Sequence, residues 1–402
     1  MSTMVEESAI AHCDRFLEAL QPWRMHPELA AATGSRHASC HVLDAKYEPG
    51  VRAVILYAVG DQLVRGDLLP LPDGVRLNPF PHDPDLPTLP LLMDPGTVGP
   101  LAGGSGRTRV DLLRYRPGKR ATVRVTSGDT SVVAKAYHDP TKAASVAEES
   151  VALADAAKDA ATLRFAPTAA HLDDLGWVVQ LPVLGAPLDA LVGNTRLAPS
   201  ESADGVRRAA RALAELHATQ PALHRVRSVD KELNRFGLRA GRIATVDTRV
   251  GALADQLATR LIAVQEHLPA ATIGPVHGDC KPSQFLLAAE SVHLLDLDHC
   301  GTSDQAADVG TFMATLRQYA VRHALAGRPT ALTDRLPALA EEFLTAYLDA
   351  GGASTRARIR WHEAVALERK ALRSFARAPR SPVPAALIHE ADRCLDRLAE
   401  AA

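Results

Sequence analysis

The 402-residue sequence predicts an α+β protein with a β-rich N-terminal lobe and a mostly helical C-terminal lobe. Apolar residues alternate, as they do in strands, over residues 40–58 and 109–137. Helical apolar spacing fills most of the chain after residue 141. Strands first and helices later is the order of a two-lobed α+β protein rather than of alternating βαβ units.

Composition narrows the class of protein. Apolar residues make up 47% of the chain, enough to build a sizeable core. A formal net charge of -2 argues against nucleic-acid and membrane-surface partners, which bind basic proteins. The five cysteines are scattered without metal-type spacing, so neither zinc nor a disulfide framework is expected. With no secretory signal and no long apolar run, we expect a soluble cytoplasmic protein.

The N-terminal part begins with a helix predicted over residues 6–20 and continues into a strand-turn-strand unit. The segments AKYEPGVRAVILY (residues 45–57) and LRYRPGKRATVRV (residues 113–125) share Tyr, Pro-Gly, Arg and Ala at matching places. The match favours an internal duplication, and independent use of a common turn dipeptide is the alternative. A proline-rich stretch over residues 69–95 predicts a linker or an irregular connection, because proline removes a backbone donor.

Helical patterns dominate the rest of the chain. A helix is predicted over residues 141–161, with Asp139 or Thr141 as its N-cap, and short apolar runs follow around residues 169–172 and 177–184. Later helices are predicted at residues 202–218, 246–267, 307–326, 332–350, 354–377 and 384–398.

The sharpest chemical signal is a loop between apolar strands. The tripeptide HGD ends in Asp279, Gln284 follows five residues later, and a short predicted hairpin ends in DLD, Asp296 to Asp298. Phosphoryl transfer needs one carboxylate for the proton of the attacking hydroxyl, and another, with an amide oxygen, for the Mg²⁺ on the phosphates. Asp279 is then the base, and Gln284 and Asp296 are metal ligands. A single Asp would be a turn residue or a helix cap, but the combination is much less expected by chance.

Residues 277–298 resemble the signature of the aminoglycoside phosphotransferase and choline-kinase-like superfamily, an HGDxxxxN loop followed by DxD. Residues 132–137 are similar to its strand with the ATP-binding lysine, 177–188 to its inter-lobe hinge and 211–218 to the helix before the catalytic loop. The resemblance covers about residues 109–314. The maltokinase-like and glucosamine-kinase-like members, which carry an added N-terminal cap, are the nearer match by shape.

The resemblance implies a two-lobed protein-kinase-like fold. We divide it into a cap subdomain over residues 1–92, an N-lobe over 93–182 and a C-lobe over 183–402. The implied activity is transfer of the γ-phosphoryl group of ATP, with Mg²⁺ or Mn²⁺, to a small-molecule hydroxyl of a sugar, an amino sugar, an aminoglycoside or a related compound. Residues 311–402 carry more basic than acidic side chains, which gives no support for a polycationic acceptor.

The resemblance also implies roles for single residues. Lys135 would bind α/β-phosphate oxygens, and Glu149 on the next helix would orient it, with Glu148 as the alternative. Lys281 would lie near the γ-phosphate or face solvent. The expected nucleotide contacts in the hinge are Gln180 and Val183. The expected metal ligands are Gln284, Asp296 and Asp298.

Two features depart from the family pattern. Gln284 stands where Asn is usual, and a short turn over residues 116–120 stands where a GxGxxG loop is common. The extra methylene of Gln284 either changes the geometry of the metal site or removes this side chain from its ligands. Two alternatives to a small-molecule kinase therefore stay open: a kinase for Ser or Thr of a biosynthetic precursor peptide, and a nucleotide-binding pseudokinase that acts as a partner protein.

Overall fold

The computed structural model describes residues 2–35, 38–69, 75–194, 197–328 and 330–400. Most of its strands precede most of its helices, so the predicted α+β class is confirmed. Within the described residues, no helix is both long enough and apolar enough to cross a lipid bilayer.

The N-terminal elements form an antiparallel four-stranded sheet, ordered β1-β2-β3-β4, with two helices before it. Their bounds are α1 Ser2–Ala19, α2 His26–Thr33, β1 Cys40–Glu48, β2 Arg52–Val59, β3 Gln62–Leu68 and β4 Val75–Pro79.

The second sheet has five strands in the order β5-β6-β7-β10-β9. The elements of this region are α3 Leu89–Met93, α4 Pro95–Ala102, β5 Thr108–Arg116, β6 Arg120–Ser127, β7 Thr130–Tyr137, α5 Pro140–Ala156, β8 Leu163–Phe165, β9 Thr168–Leu172 and β10 Trp177–Gln180.

The remaining chain is mostly helical and carries two small sheets, ordered β11-β13-β14-β8 and β12-β15. Its elements are β11 Ala186–Pro187, α6 Leu188–Val192, α7 Pro199–Ala218, α8 Val229–Ala244, α9 Thr248–Gln265, β12 Ile273–Val276, β13 Phe285–Leu287, β14 Val292–Leu294, β15 Gly301–Asp304, α10 Ala306–Leu325, α11 Thr330–Asp349, α12 Arg356–Arg377 and α13 Val383–Glu400.

Strands β1–β3 and β5–β7 share one arrangement. β6 begins 68 residues after β2, since Arg120 follows Arg52, and β7 begins 68 residues after β3, since Thr130 follows Gln62. Both first hairpins close at Pro-Gly turns whose glycines, Gly50 and Gly118, have φ angles of 68° and 66°. Only glycine takes this left-handed conformation at little cost. The predicted strand-turn-strand units are therefore confirmed in both copies.

The proline-rich stretch differs from the prediction of a linker. It contains β4 and α3, and α4 begins at its last proline, while residues 70–74 lie outside the described residues. Prolines sit within the first two positions of both helices. Proline is tolerated there because the first backbone N–H groups of a helix have no intrahelical partner.

The first sheet packs on the helices of the C-terminal part rather than standing apart. One apolar core joins β1–β3 to α8, α9, α12 and α13, with Tyr47, Tyr57, Phe236 and Trp361 among its buried side chains. Two ion pairs continue this contact at the surface, Asp44 with Arg377 and Glu48 with Arg242. The N-terminal sheet is thus fixed to helices of the C-terminal part.

Candidate active site

The catalytic loop follows β12, and the side chain of Asp308 holds its backbone in place. Its carboxylate, in the first turn of α10, accepts hydrogen bonds from the backbone N–H of His277 at 2.6 Å and of Gly278 at 2.8 Å. Gly278 has a φ of 76°, and a Cβ there would lie 2.1 Å from the carbonyl oxygen of His299. The loop therefore requires glycine at this position. His277 itself contacts the Leu295 carbonyl oxygen through Nε2 at 2.7 Å, which supports the loop.

Asp308 belongs to a buried polar chain. His217 Nε2 lies 3.3 Å from its Oδ2, and His217 Nδ1 lies 2.8 Å from the Tyr347 hydroxyl. Burial alone would raise the pKa of Asp308, but the hydrogen bond and charge of His217 outweigh it and lower that pKa. The carboxylate stays ionised, and an ionised acceptor holds the two loop N–H groups more firmly than a neutral one.

Asp279 and Lys281 form an ion pair at the open side of the loop. Burial alone would raise the pKa of Asp279, but the Lys281 ammonium outweighs it and the pKa falls to about 2. Lys281 is therefore not simply solvated, which was one of its two predicted roles. A carboxylate this acidic is ionised throughout the neutral range and can accept a hydrogen bond from a hydroxyl.

The DLD motif follows β14, where a left-handed residue turns the chain. Asp296 has a φ of 63°, and among the described residues it is the only non-glycine with a positive φ. Arg120, at the start of β6, binds its carboxylate through both terminal nitrogens, at 2.7 and 2.8 Å, and also contacts Asp298. The Tyr137 hydroxyl donates to Asp298 at 2.8 Å. Sparsely populated backbone conformations of this kind cluster at functional sites.

Lys135 is brought to the same carboxylates by its place in the sheet. It lies on β7 opposite Thr122 of β6, and its Nζ is 3.8 Å from Asp296 Oδ1 and 3.6 Å from Asp298 Oδ1. Burial lowers the pKa of Lys135, although the Asp296 charge opposes it. In the other direction, burial would raise the pKa of Asp296, but the Arg120 hydrogen bonds and Lys135 charge hold it well below its usual range.

Glu149 points inward, as predicted, while Glu148 is exposed. Its expected ion pair with Lys135 is not formed between these two described residues. The Glu149 carboxylate instead lies 3.2 Å from Arg225 Nη2 and 3.5 Å from the Cys300 sulfur. The difference has a physical reason: Lys135 already has two carboxylates beside it, and Arg225 supplies the charge that a buried Glu149 needs.

The predicted hinge residues lie where the two lobes meet. Gln180 ends β10, paired with Val133 of β7, and Val183 lies half-buried in the connection that leads to β11. β11 then pairs with β13 beyond the catalytic loop. One strand connection therefore links the sheet of Lys135 to the hairpin of the DLD motif.

The donor set suits a hard cation. Asp296 and Asp298 offer carboxylate oxygens, and the Gln284 side chain lies 3.3 Å from Asp296 through its amide. Mg²⁺ and Mn²⁺ prefer oxygen ligands of this kind. Among the described residues no group of three His, Cys, Asp or Glu side chains is placed to hold a metal, and the Gln284 amide nitrogen donates to Asp296. Arg120 and Lys135 neutralise these carboxylates.

The sequence match agrees with this geometry. A model of the phosphotransferase enzyme family matches residues 111–362, more than half of the chain.

The chain belongs to the phosphotransferase enzyme family.

Two solved structures with TM-scores of 0.50 and above show the same fold for this phosphotransferase. A choline/ethanolamine kinase family protein from Mesorhizobium loti is 17% identical, with 78% of this chain and 95% of that chain covered at a TM-score of 0.51. A choline kinase from Streptococcus pneumoniae is 10% identical, with 72% and 93% covered at a TM-score of 0.50. A glucosamine kinase bound to glucosamine, ADP and phosphate is 16% identical, with 90% and 94% covered at 0.48. No curated protein sequence is similar enough to count as a match.

A member of this family is an enzyme that transfers a phosphoryl group to a hydroxyl acceptor. The chain is therefore a small-molecule phosphotransferase. The predicted superfamily is thereby confirmed. ATP is the donor that a kinase-like family implies, typically with a divalent metal.

Sequence reasoning missed several residues of this phosphotransferase site. Arg120 was visible as the shared Arg of the two YxPG segments, but nothing in the sequence paired it with Asp296. Arg225 and Lys142, which both donate to the Asp298 carbonyl oxygen, carried no motif. Burial lowers the pKa of Lys142 to about 8, and the positive charge of Arg225 adds to that.

Proposed function

We propose that this phosphotransferase moves the γ-phosphoryl group of ATP in line to a hydroxyl of a small molecule, with Asp279 as the base. The observation that supports it best is the convergence of separate chain segments on one cleft. Lys135 comes from β7, Asp279 from the loop after β12, and Asp296 from the end of β14. Such a set lets the donor phosphates, a cation and the acceptor hydroxyl meet between the lobes.

Asp279 orients the acceptor hydroxyl and takes its proton late. With a pKa of about 2, it is a weak base, because Lys281 stabilises its ionised form. A weak base is sufficient because the transition state of phosphoryl transfer is loose and needs positioning and charge stabilisation more than early deprotonation. Lys281, beside Asp279, is in place to neutralise an oxygen of the transferred group.

Asp296, Asp298 and Gln284 would hold Mg²⁺ in this proposal. The ion, when bound, neutralises the charge that develops on the phosphate oxygens. Lys135 binds oxygens of the donor phosphates. Gln180 and Val183 of the hinge lie against the adenine base of ATP. Glu149 acts through Arg225, which holds the backbone carbonyl of Asp298, rather than through Lys135.

One observation favours a second candidate, a nucleotide-binding pseudokinase. Arg120 occupies both oxygens of Asp296 and contacts Asp298, which leaves the expected metal ligands neutralised within the protein. A peptide acceptor has less support, since an apolar groove would suit it and the described side chains beside Asp279 are charged.

The test uses the full-length protein with ATP and Mg²⁺. ADP release is measured with water alone and with sugars, amino sugars and aminoglycosides, and nucleotide affinity is measured by calorimetry with a non-hydrolysable ATP analogue. Asp279→Asn should lower turnover by about a hundredfold or more, since the base acts mainly in the transition state, and leave nucleotide affinity unchanged. Glu290→Gln, at an exposed turn position between β13 and β14, is the matched control.

Two outcomes would contradict the proposal. Near wild-type turnover of Asp279→Asn would remove Asp279 as the base. Nucleotide binding that is independent of metal, with no transfer to any acceptor, would support the pseudokinase instead.

A further inference from the structure

Helix α12 presents a row of arginines toward the cap sheet. Arg369, Arg373 and Arg377 are spaced four residues apart and therefore lie on one face. Arg369 pairs with Glu232 of α8 at 2.5 Å, and Arg377 pairs with Asp44 of β1 at 3.2 Å. Arg373, between them, is exposed and forms no ion pair within the described part of the chain.

Strand β1 faces that row with a second cation. Asp44, Lys46 and Glu48 alternate along β1 and share one face. Because Asp44 reaches Arg377 of α12 and Glu48 reaches Arg242 of α8, Lys46 between them faces the gap between these two helices. Arg239 lies one turn before Arg242 on α8.

Neither Lys46 nor Arg239 forms an ion pair among the described residues. Removal from bulk water lowers the pKa of Lys46, and the charges of Arg52 and Arg239 add to that effect. The Glu48–Arg242 pair holds β1 against α8, so the like charges of Lys46, two residues before Glu48, and Arg239, one turn before Arg242, repel each other.

The N-lobe adds a fourth cation, Lys119, at a turn that is held in place by hydrogen bonding. The backbone N–H of Gly118 donates to Asp83 Oδ2 at 2.8 Å, and Asp83 in turn pairs with Arg65 of β3. This clamp holds the turn of the second hairpin against the cap, with Lys119 next in sequence. Removal from water lowers the pKa of Lys119, and the charges of Lys46, Arg116, Arg373 and Arg52 lower it further.

The charge of the proposed base acts on two cations of α12. Removal from water and the Arg369 charge lower the pKa of Arg373 to about 10, and Asp279 opposes that shift. Lys370, the neighbour of Arg369, donates to Thr315 Oγ1 at 2.8 Å. Burial and the Arg369 charge lower the pKa of Lys370 to about 7, again against Asp279. The Asp279 carboxylate, which is proposed to bind the acceptor hydroxyl, therefore affects the pKa values of both Arg373 and Lys370.

We propose that the acceptor is a small anionic hydroxyl compound, bearing a phosphate or carboxylate group that Lys46, Lys119, Arg239 and Arg373 bind between the cap and the two lobes. The inference rests on the proposed function, since it names the acceptor class of that site. It also gives the cap sheet a role in binding the acceptor.

The charges around the cluster favour an anionic acceptor over a neutral one. The acids nearest to the cluster already have partners: Glu48 has Arg242, Glu232 has Arg369 and Asp279 has Lys281. The exposed cations that are left repel one another and would attract a negative group. The proposed partner of the donor phosphates is instead Lys135, whose Nζ lies 3.8 Å from Asp296 and 3.6 Å from Asp298.

The first experiment compares acceptors that carry an anionic group with neutral counterparts of the same carbon number. ADP release is measured with glucose and glucose 6-phosphate, with glycerol and glycerol 3-phosphate, and with glucose and gluconate, with glucosamine as the cationic member. The kcat/KM of an anionic member should exceed that of its neutral partner by about tenfold or more.

The second experiment uses variants. Lys46→Gln combined with Arg373→Gln should raise the KM for the preferred anionic acceptor by about tenfold or more and leave the KM for ATP within about twofold. Arg356→Gln, exposed in the first turn of the same helix and remote from Arg373, should change neither value. An equal rise in the KM for ATP would mean that the cluster serves the nucleotide, and would overturn the inference.

The failure of this inference is separable from the failure of the proposed function. Transfer to neutral or cationic acceptors that equals or exceeds transfer to the anionic ones, or transfer to an acidic peptide alone, overturns the inference and keeps the kinase. If no acceptor is phosphorylated, calorimetry with glucose 6-phosphate and saturating non-hydrolysable ATP analogue decides it. Binding that the double variant abolishes supports the anion site, and absent or variant-independent binding overturns it.

Discussion

The Arg120 guanidinium spans the carboxylate of Asp296, with Nη1 2.7 Å from Oδ1 and Nη2 2.8 Å from Oδ2. The two residues are 176 positions apart in the chain. The arginine comes from the N-lobe sheet and the aspartate from the C-lobe hairpin, so this fork joins the lobes across the cleft. A bidentate arginine–carboxylate pair adds geometric specificity as well as energy.

Replacement of Arg120 tests whether it stands in for a cation. Arg120→Met should lower the free energy of unfolding by about 3 kcal/mol without metal, because Asp296 and Asp298 lose a buried partner. Mg²⁺ with nucleotide should then raise the Tm of the variant more than that of wild type, since carboxylates freed from arginine bind the cation more readily. Thermal unfolding with and without Mg²⁺ and an ATP analogue measures both effects.

Arg124→Met is the control for that experiment, because Arg124 is exposed on the same strand. Its Tm and metal response should match wild type. An Arg120 variant with the same metal response as Arg124→Met would show that the arginine does not compete with a cation.

Gln284 is predicted to keep its place beside the metal ligands. Gln284→Asn shortens the side chain by one methylene and should leave turnover within about tenfold, or about 1.4 kcal/mol of barrier. Gln284→Ala removes the amide oxygen and should cost more, with partial recovery at high Mg²⁺. Turnover as a function of Mg²⁺ concentration for the three proteins is the measurement. Identical, metal-insensitive curves would place Gln284 outside the site.

The pH dependence of turnover should report the Asp279–Lys281 pair. In wild type the pKa of Asp279 is about 2, below its usual value, so the acidic limb of kcat/KM should not arise from this group at ordinary pH. In Lys281→Met the burial effect is no longer outweighed, and the acidic limb should move upward by about one pH unit or more.

The Asp279–Lys281 pair also contributes to the free energy of unfolding. The direction of the pKa shift of Asp279 decides how this contribution changes with pH. A carboxyl group whose pKa is lowered on folding stabilises the fold above its unfolded pKa, near 3.8. That contribution is lost as the pH falls from there toward 2. Lys158→Met, at an exposed position beyond the end of α5, should leave both the pH profile and acid stability unchanged. A Lys281 variant with an unshifted acidic limb would rule out Asp279 as the titrating base.

Asp308 is predicted to be needed for the shape of the catalytic loop. Asp308→Asn places an amide where two backbone N–H groups require acceptors, so the free energy of unfolding should fall by about 2–4 kcal/mol and turnover should fall with it. Because the pKa of Asp308 is lowered on folding, the difference from wild type should be full at neutral pH and shrink as the medium becomes acidic.

Chemical denaturation at several pH values measures this, with Asp334→Asn on the exposed side of α11 as control. Wild-type stability and turnover in Asp308→Asn would show that the loop holds its shape without this carboxylate.

Local sequence patterns were enough to predict most helices and strands, and one helix was missed although its sequence carries such a pattern. Helix α8 was not predicted, although Ser228 caps it through Lys231 N–H and Leu233, Phe236 and Ala240 lie at helical spacing. Its apolar stripe is short among charged residues, so its stability comes from packing on the cap core rather than from a long periodic pattern. The cap and lobe boundaries at residues 92 and 182 remain predictions.

The sequence by itself determined the fold class, the superfamily and the residues that gather in the cleft, because HGD, DLD and the strand lysine are short motifs with their own chemistry. Tertiary structure alone decided their partners: Arg120 with Asp296, Arg225 with Glu149, and Asp308 beneath the loop. It also brought Asp44 of the cap sheet to Arg377 of α12. These pairs join residues far apart in the chain, and no local propensity encodes which surfaces of two lobes will meet.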